Sequence, residues 1–337
     1  RGSALVELAD IDQRQGRPAD GRRRLAEAAE LADDNGDMLL GVRAAFVLAS
    51  LRAEFDGALD ESVEDLRRSV AIAEEIDDRS LRTEGHLRIA ALLFNLGRLA
   101  EVEEQLGRCL ALAGEMGSHR VEAEATSWLS VVKYYQGEFA EAERLGLQAA
   151  EWLERTSDSY FQVQNLVYLA RYALDEDDSK LAEDRLRDAI PIALGIEGWV
   201  VVESYRFLVE ALVREGQASD ARELADFAAR GISEEDPYAH ASVLLARGTV
   251  SAAEGHATDT RNAFTEALGL LESLHMPVDT AEARVAFAGA LARLGEVDDA
   301  RVELQRARGL FEAMGAAGAL VRIERELDRL PERAGAG

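Results

Sequence analysis

Two lysines, five histidines and one cysteine are the residues of this chain best suited to covalent or metal chemistry, and their spacing does not set them up for it. Neither Lys133 nor Lys180 follows a glycine, so the phosphate-cradling pattern G-x-x-x-x-G-K-[ST] is absent. Neither G-x-G-x-x-G nor G-x-S-x-G occurs. His86, His119, His240, His256 and His275 never stand four apart, and H-E-x-x-H is missing, so zinc finds no ligand pair. His86 sits at a packing position; the others fall at turns or helix starts. Cys109 falls on a small core position, where a thiol packs rather than reacts, and one cysteine forms no disulfide within its chain. Carboxylate pairs say nothing about acid–base catalysis in a chain with 64 acids. Bond chemistry is therefore not expected, and neither a cofactor nor a metal is called for. What remains is recognition. All three Trp (128, 152, 199) and all seven Tyr (134, 135, 160, 168, 172, 205, 238) lie between positions 128 and 238. Rings with an apolar body and a polar tip suit binding surfaces. Arg171 and Arg206 are able to hold a carboxylate or a phosphate.

The elements that must position these residues repeat. Turn positions recur at Gly16, Gly57, Gly97, Gly137, Asp177, Gly216, Gly255 and Gly295, in steps of 39 to 41 residues. Seven of the eight are glycine, which ends a helix in the left-handed conformation without steric cost. Seven residues before each turn stand Ala9, Ser50, Ala90, Ser130, Ala170, Val209, Gly248 and Ala288; twelve after it stand Ala28, Ser69, Cys109, Ala149, Ala189, Ala228, Ala267 and Ala307. Small side chains at one helical spacing let two helices approach closely. Large apolar residues such as Leu25, Leu66, Leu106, Leu186, Phe264 and Leu304, nine after the turn, fill the gaps.

This pattern resembles the tetratricopeptide repeat superfamily over about residues 4 to 313. The period is near 40, longer than the 34 usual there, and the final Pro of the family pattern is missing; longer helices and connections follow. The resemblance implies an all-α, right-handed α-solenoid of about eight helical hairpins plus a C-terminal capping helix. The units fall near 4–34, 38–77, 80–116, 119–155, 160–195, 199–231, 237–274 and 279–314, with the cap at 317–330. Residues 1–330 are expected to form one superhelical domain and 331–337 a flexible tail. In the family the first helix of each hairpin lines the concave groove, at positions 13, 10, 6, 3 and 2 before the turn. Carried onto the central units, those positions give Glu84, Leu87, Ala91, Phe94 and Asn95; Glu124, Ser127, Val131, Tyr134 and Tyr135; Gln164, Val167, Arg171, Leu174 and Asp175; Glu203, Arg206, Glu210, Val213 and Arg214. Of these, Asn95, Ser127, Val131, Tyr134, Tyr135, Gln164, Val167, Arg171, Glu203, Arg206 and Glu210 are taken as the candidate ligand- or partner-binding residues. The alternative is that Arg171 and Arg206 pair with Glu203, Glu210 or Asp175. In the same way Trp128, Trp152, Tyr168, Tyr172 and Trp199 are read as filling inter-helix space.

Charge and composition narrow the partners. The net charge of −26 repels phosphate backbones, so direct nucleic-acid binding is not expected. The acid excess itself reads as a solvated face that keeps the chain dispersed; a high-salt habitat or a basic partner would also call for it. Five prolines and long Ala/Leu/Glu/Arg tracts favour helix almost throughout. Secretory and membrane-spanning segments are not evident, which points to a cytoplasmic chain with no membrane partner. The opening Arg-Gly-Ser without Met, and a first helix apolar on more than one face, read as a piece of a longer protein. The segment from Ala300, ARVELQRARGLFEAMGAAGALVRIERELDRL, is similar to the end of the repeat region in large bacterial signal-sensing ATPases with LuxR-type DNA-binding domains and in related cyclase-linked regulators. That resemblance implies a non-catalytic module that binds a protein, a peptide or a small effector and regulates other domains of a parent protein. A free-standing scaffold or adaptor, and a small-molecule sensor, are the alternatives.

Overall fold

The computed structural model describes residues 1–156, 158–194, 196, 199–230 and 232–331. The side chain of Trp199 and the tail from 332 onward lie outside the described residues. Among these residues are seventeen α-helices and no strand, disposed as eight hairpins and a closing helix. The hairpins are α1 (Gly2–Arg14) with α2 (Pro18–Asn35), α3 (Met38–Asp56) with α4 (Leu59–Glu75), α5 (Arg79–Asn95) with α6 (Leu99–Met116), and α7 (His119–Gln136) with α8 (Phe139–Leu153). Then come α9 (Ser159–Asp175) with α10 (Ser179–Ala193), α11 (Trp199–Arg214) with α12 (Ala218–Ala229), α13 (Pro237–Ala253) with α14 (Ala257–Ser273), and α15 (Pro277–Arg293) with α16 (Val297–Met314). The closing helix is α17 (Ala317–Arg329). This is an all-α solenoid of helical hairpins.

Local chemistry sets the helix ends. Asp37, Asp78, Asp158, Asp178 and Asp236 each accept a hydrogen bond from the backbone N–H three residues on, starting α3, α5, α9, α10 and α13. Each such cap satisfies a donor that the helix cannot and is worth about 1 kcal/mol. Pro18, Pro237 and Pro277 begin α2, α13 and α15, where a missing N–H costs nothing. The turn inside each hairpin is left-handed, including Asp177 at φ 62°, a conformation that Asp tolerates better than most. A second left-handed series, Gly36, Asp77, Gly117, His275 and Gly315, ends the second helix of several hairpins.

The small positions do what their size allows. Ala9, Ala28, Ala90, Ala142, Ala170, Ala189 and Ala300 have no exposed surface, and Leu66, Leu106, Leu186 and Phe264 fill the space beside them. Ser130, at the same register, donates its hydroxyl to the Ala142 carbonyl at 2.6 Å, so its burial leaves nothing unpaired. Cys109 is fully buried, and burial pushes its thiol up to about 12.

The superhelix completes a turn and packs on itself. One continuous core holds residues of α3 to α9 together with residues of α13 to α17. The hairpin turns of the first four units supply the contact edge. Ser233 donates to the Gly16 carbonyl at 2.6 Å. Beside Gly57 lie Ser273 and Leu274, and beside Gly97 lies Met314. At Gly137 the backbone of Gly318 approaches so closely that a Cβ on Gly318 would lie 2.3 Å from the Tyr134 carbonyl oxygen. Only glycine lets α17 seat there. On the first hairpin Leu8 and Ile11 remain 42% and 46% exposed. Among the described residues no helix is long and apolar enough to cross a membrane.

Candidate functional site

The first helices of the hairpins face inward, and the closed superhelix leaves a half-enclosed cavity of about 580 Å³ between them. Its wall draws on α1, α3, α5, α7, α9, α11, α13 and α15. Of the eleven candidates, four line it: Asn95, Gln164, Arg171 and Glu203. The other seven lie elsewhere. Ser127 is buried and donates to Asn165 Oδ1 at 2.8 Å, tying α7 to α9. Val131 and Val167 belong to the apolar core. Glu210 pairs with Arg214 at 2.6 Å. Arg206 stands over the Phe207 ring, 4.8 Å from its centroid, with Glu203 3.7 Å away.

Tyr134 and Tyr135 are buried, 3% and 2% exposed, beneath the second superhelical turn. Tyr134 stacks on Tyr172 at 4.2 Å and donates its hydroxyl to Asp175. Tyr135 donates to Glu282 at 2.7 Å and accepts from Arg171 at 2.9 Å. Arg322 of α17 closes this group. It binds both oxygens of Glu282, at 2.9 and 2.8 Å, and Asp175 at 2.6 Å, and it lies over the rings of Tyr134 and Phe311. Arg171 meets Glu282 at 2.8 Å from the cavity side. Burial raises the pKa of both phenols, so they stay protonated donors. Burial works to raise Glu282 as well, but the facing Arg171 and Arg322 outweigh it and hold this carboxyl below its usual range.

Two rings expected from the sequence to pack do so in the main core and also border the cavity. Trp128 and Tyr168, 6.1 Å apart, line the cavity, and Phe94 joins Trp128 at 5.5 Å. Tyr172 and Trp152 do pack: Tyr172 on Tyr134, and Trp152 against Ala123, Ala149 and Leu153. Several wall residues were not among the candidates. Glu54, Glu124, Tyr238 and Asp279 are the most informative. Glu124 is 2% exposed and bonded to Arg120; burial raises its carboxyl to about 7. Burial and nearby Asp236 push Glu54 up to about 8. Burial and Glu203 push Asp279 up to about 6. The Tyr238 hydroxyl donates between Glu203, at 2.8 Å, and Asp279, at 3.1 Å. A signal for part of this group was present: Glu84, Glu124, Gln164 and Glu203 share one register, thirteen before the turn. Glu54 and Asp279 come from other registers and enter only through closure.

Among the described residues no group of three or more His, Cys, Asp or Glu is disposed to hold a metal ion. The cavity wall presents aromatic faces, carboxylates and paired guanidiniums.

No family model and no curated protein matches the sequence. Solved structures share its shape. The Rap protein solved in complex with competence and sporulation factor is 13% identical, with a TM-score of 0.68 over 93% of this chain and 98% of that one. The apo quorum sensor NprR from B. thuringiensis is 12% identical, with a TM-score of 0.59 over 92% and 87%. A tetratricopeptide repeat protein from Parabacteroides merdae is 13% identical, with a TM-score of 0.47 over 81% and 97%. At these identities the likeness is one of fold.

Proposed function

We propose that this chain is a non-catalytic sensor module that takes a peptide or small effector into its interior cavity. The observation that carries this is the closed superhelix. Eight hairpins would suffice for an open groove, yet the chain winds back on itself and keeps about 580 Å³ free inside, within the 300–1,000 Å³ typical of ligand sites. The wall combines rings, carboxylates and the amides of Gln13, Asn95 and Gln164, the mixture that orients a ligand rather than transforms it. Two of the fold neighbours support the reading by what their names record, one a complex with a factor and the other a quorum sensor. On this reading the chain is the regulatory region of a bacterial signalling or transcription regulator, and ligand occupancy is what it reports.

The test is a thermal-shift and tryptophan-fluorescence screen of the chain against peptides, sugars, nucleotides and acyl metabolites. Trp128 stands on the wall, so a ligand seated inside changes its emission. Hits that raise the melting temperature and lose the emission change in Trp128→Phe place the ligand in the cavity. A protein partner that binds the chain equally well when Arg171→Ala and Gln164→Ala are introduced, with no small ligand found, would leave a scaffold using its outer face.

A further inference from the structure

The wall of the cavity is balanced on one side only. Its five guanidiniums, those of Arg14, Arg43, Arg88, Arg120 and Arg171, all have carboxylate partners: Asp10, Glu7, Glu84, Glu124 and Glu282. Its acceptors are not all matched. Gln164 is 3% exposed, and its Oε1 has no donor among the described residues. Asp279 accepts from Tyr238, and Glu54 accepts from Gln13 at 2.7 Å; neither has an ion-pair partner among the described residues. A buried acceptor without a donor costs free energy that an incoming N–H recovers. The rings stand with these acceptors: Trp128 and Tyr168 on the same wall as Gln164, and Tyr168 in the fields of Glu203 and Asp279. An aromatic face beside carboxylates attracts a cation through its quadrupole as well as through charge.

Resting on the reading of the cavity as a ligand site, we infer that its occupant is cationic: an ammonium or guanidinium group seated against Trp128 and Tyr168, facing Asp279 and Glu203, and donating to Gln164 Oε1 once that shielded oxygen turns toward the cavity. An anionic ligand finds no free guanidinium among the described wall residues to receive it. The shared chemistry is a basic group with N–H donors, supplied either by a side chain or by an α-amine of a peptide.

The experiment is calorimetric titration of the chain with matched pentapeptides Ala-Ala-X-Ala-Ala, where X is Arg, Gln or Glu, each with a free or an acetylated amino terminus. At low ionic strength the Arg peptide binds at least ten-fold more tightly than the Glu peptide, and added salt narrows the gap. Asp279→Asn and Gln164→Leu each reduce the preference several-fold while circular dichroism and melting temperature confirm the fold. If acetylation alone abolishes binding, the α-amine is the cation; if the Arg-for-Gln exchange sets affinity, the side chain is. Equal binding of the Arg and Glu peptides that acetylation does not weaken, with a Trp128 emission change, overturns the cationic assignment and keeps the cavity as a ligand site. A preference that survives both substitutions overturns the seat on Gln164 and Asp279. Failure of every peptide to bind overturns the cationic assignment, while the thermal-shift and fluorescence screen decides the cavity reading on its own.

Discussion

Arg322→Met tests whether the closing helix is held by charge as much as by apolar packing. The Arg322 side chain is 6% exposed and makes three hydrogen bonds with two carboxylates, Glu282 and Asp175. Methionine keeps the length and the apolar stem but leaves Glu282, 12% exposed, with Arg171 and Tyr135 alone. Breaking a buried pair from one side costs about 3–5 kcal/mol; because Arg171 remains, about 3 kcal/mol is the expectation. At roughly 2.1 cal/mol/K per residue the unfolding entropy is about 0.7 kcal/mol/K, so the melting temperature falls by about 4 °C when the chain melts as one unit. The sign of the pH dependence follows from Glu282, whose folded pKa is depressed. Its contribution is present above the unfolded carboxylate value of about 4.3 and is lost as pH falls toward the folded value. The deficit of the variant is therefore largest near neutral pH and shrinks in acid. Adding Glu282→Gln to Arg322→Met removes the stranded charge and recovers part of the loss. Calorimetric melts of the four proteins of this cycle, at pH 7 and pH 4, measure all of it. A melting temperature within 1 °C of the parent at pH 7, or no recovery in the double variant, would refute the account.

Gly318→Ala places a Cβ 2.3 Å from the Tyr134 carbonyl oxygen and 2.7 Å from the Gly137 nitrogen, both backbone atoms that cannot swing aside. Hydrogen exchange of α17 accelerates in that variant while α9 to α12 keep their protection. Glu54→Gln removes a carboxyl whose folded pKa lies near 8. A raised folded value makes its contribution fully present below the unfolded pKa and lost as pH rises through about 8; the glutamine variant therefore matches the parent at pH 4 and is the more stable by a few kcal/mol at pH 8.5. Urea titrations at the two values decide this, and a difference independent of pH would speak against a half-buried, neutral Glu54. Ala170→Leu forces a side chain into a position with no exposed surface and costs about 1–3 kcal/mol or more by overpacking, read from the same titrations.

The solenoid was legible because its causes are local. A left-handed residue every 40 positions and small residues at fixed offsets act within one hairpin, so their spacing transfers from sequence to structure without knowledge of anything distant. The eight turns and the small positions around them behave as their residue types dictate. The left-handed series at the ends of second helices was equally local, but Asp77 and His275 interrupt its glycines and hide the period.

The interior was less legible because it depends on how far each hairpin rotates past the last. That rotation accumulates from many side-chain volumes, and no single position encodes it. A groove carried over from an open repeat array puts Tyr134 and Tyr135 at a surface; the second superhelical turn puts Glu282 and Arg322 over them. Two residues did carry the sign of closure. Gly318 stands within the first turn of α17, where a helix gains nothing from glycine unless another backbone must come close. Arg322 stands beside Ile323 on the buried stripe of the same helix, and a guanidinium on a buried stripe requires carboxylates opposite. The acidic run Asp175–Glu176–Asp177 at the fifth turn supplies partners for Arg322, Arg325 and Arg329 of α17. Charge placed against the local pattern at both ends of a contact is thus the information a sequence holds about closure, and it becomes readable only when the two ends are considered together.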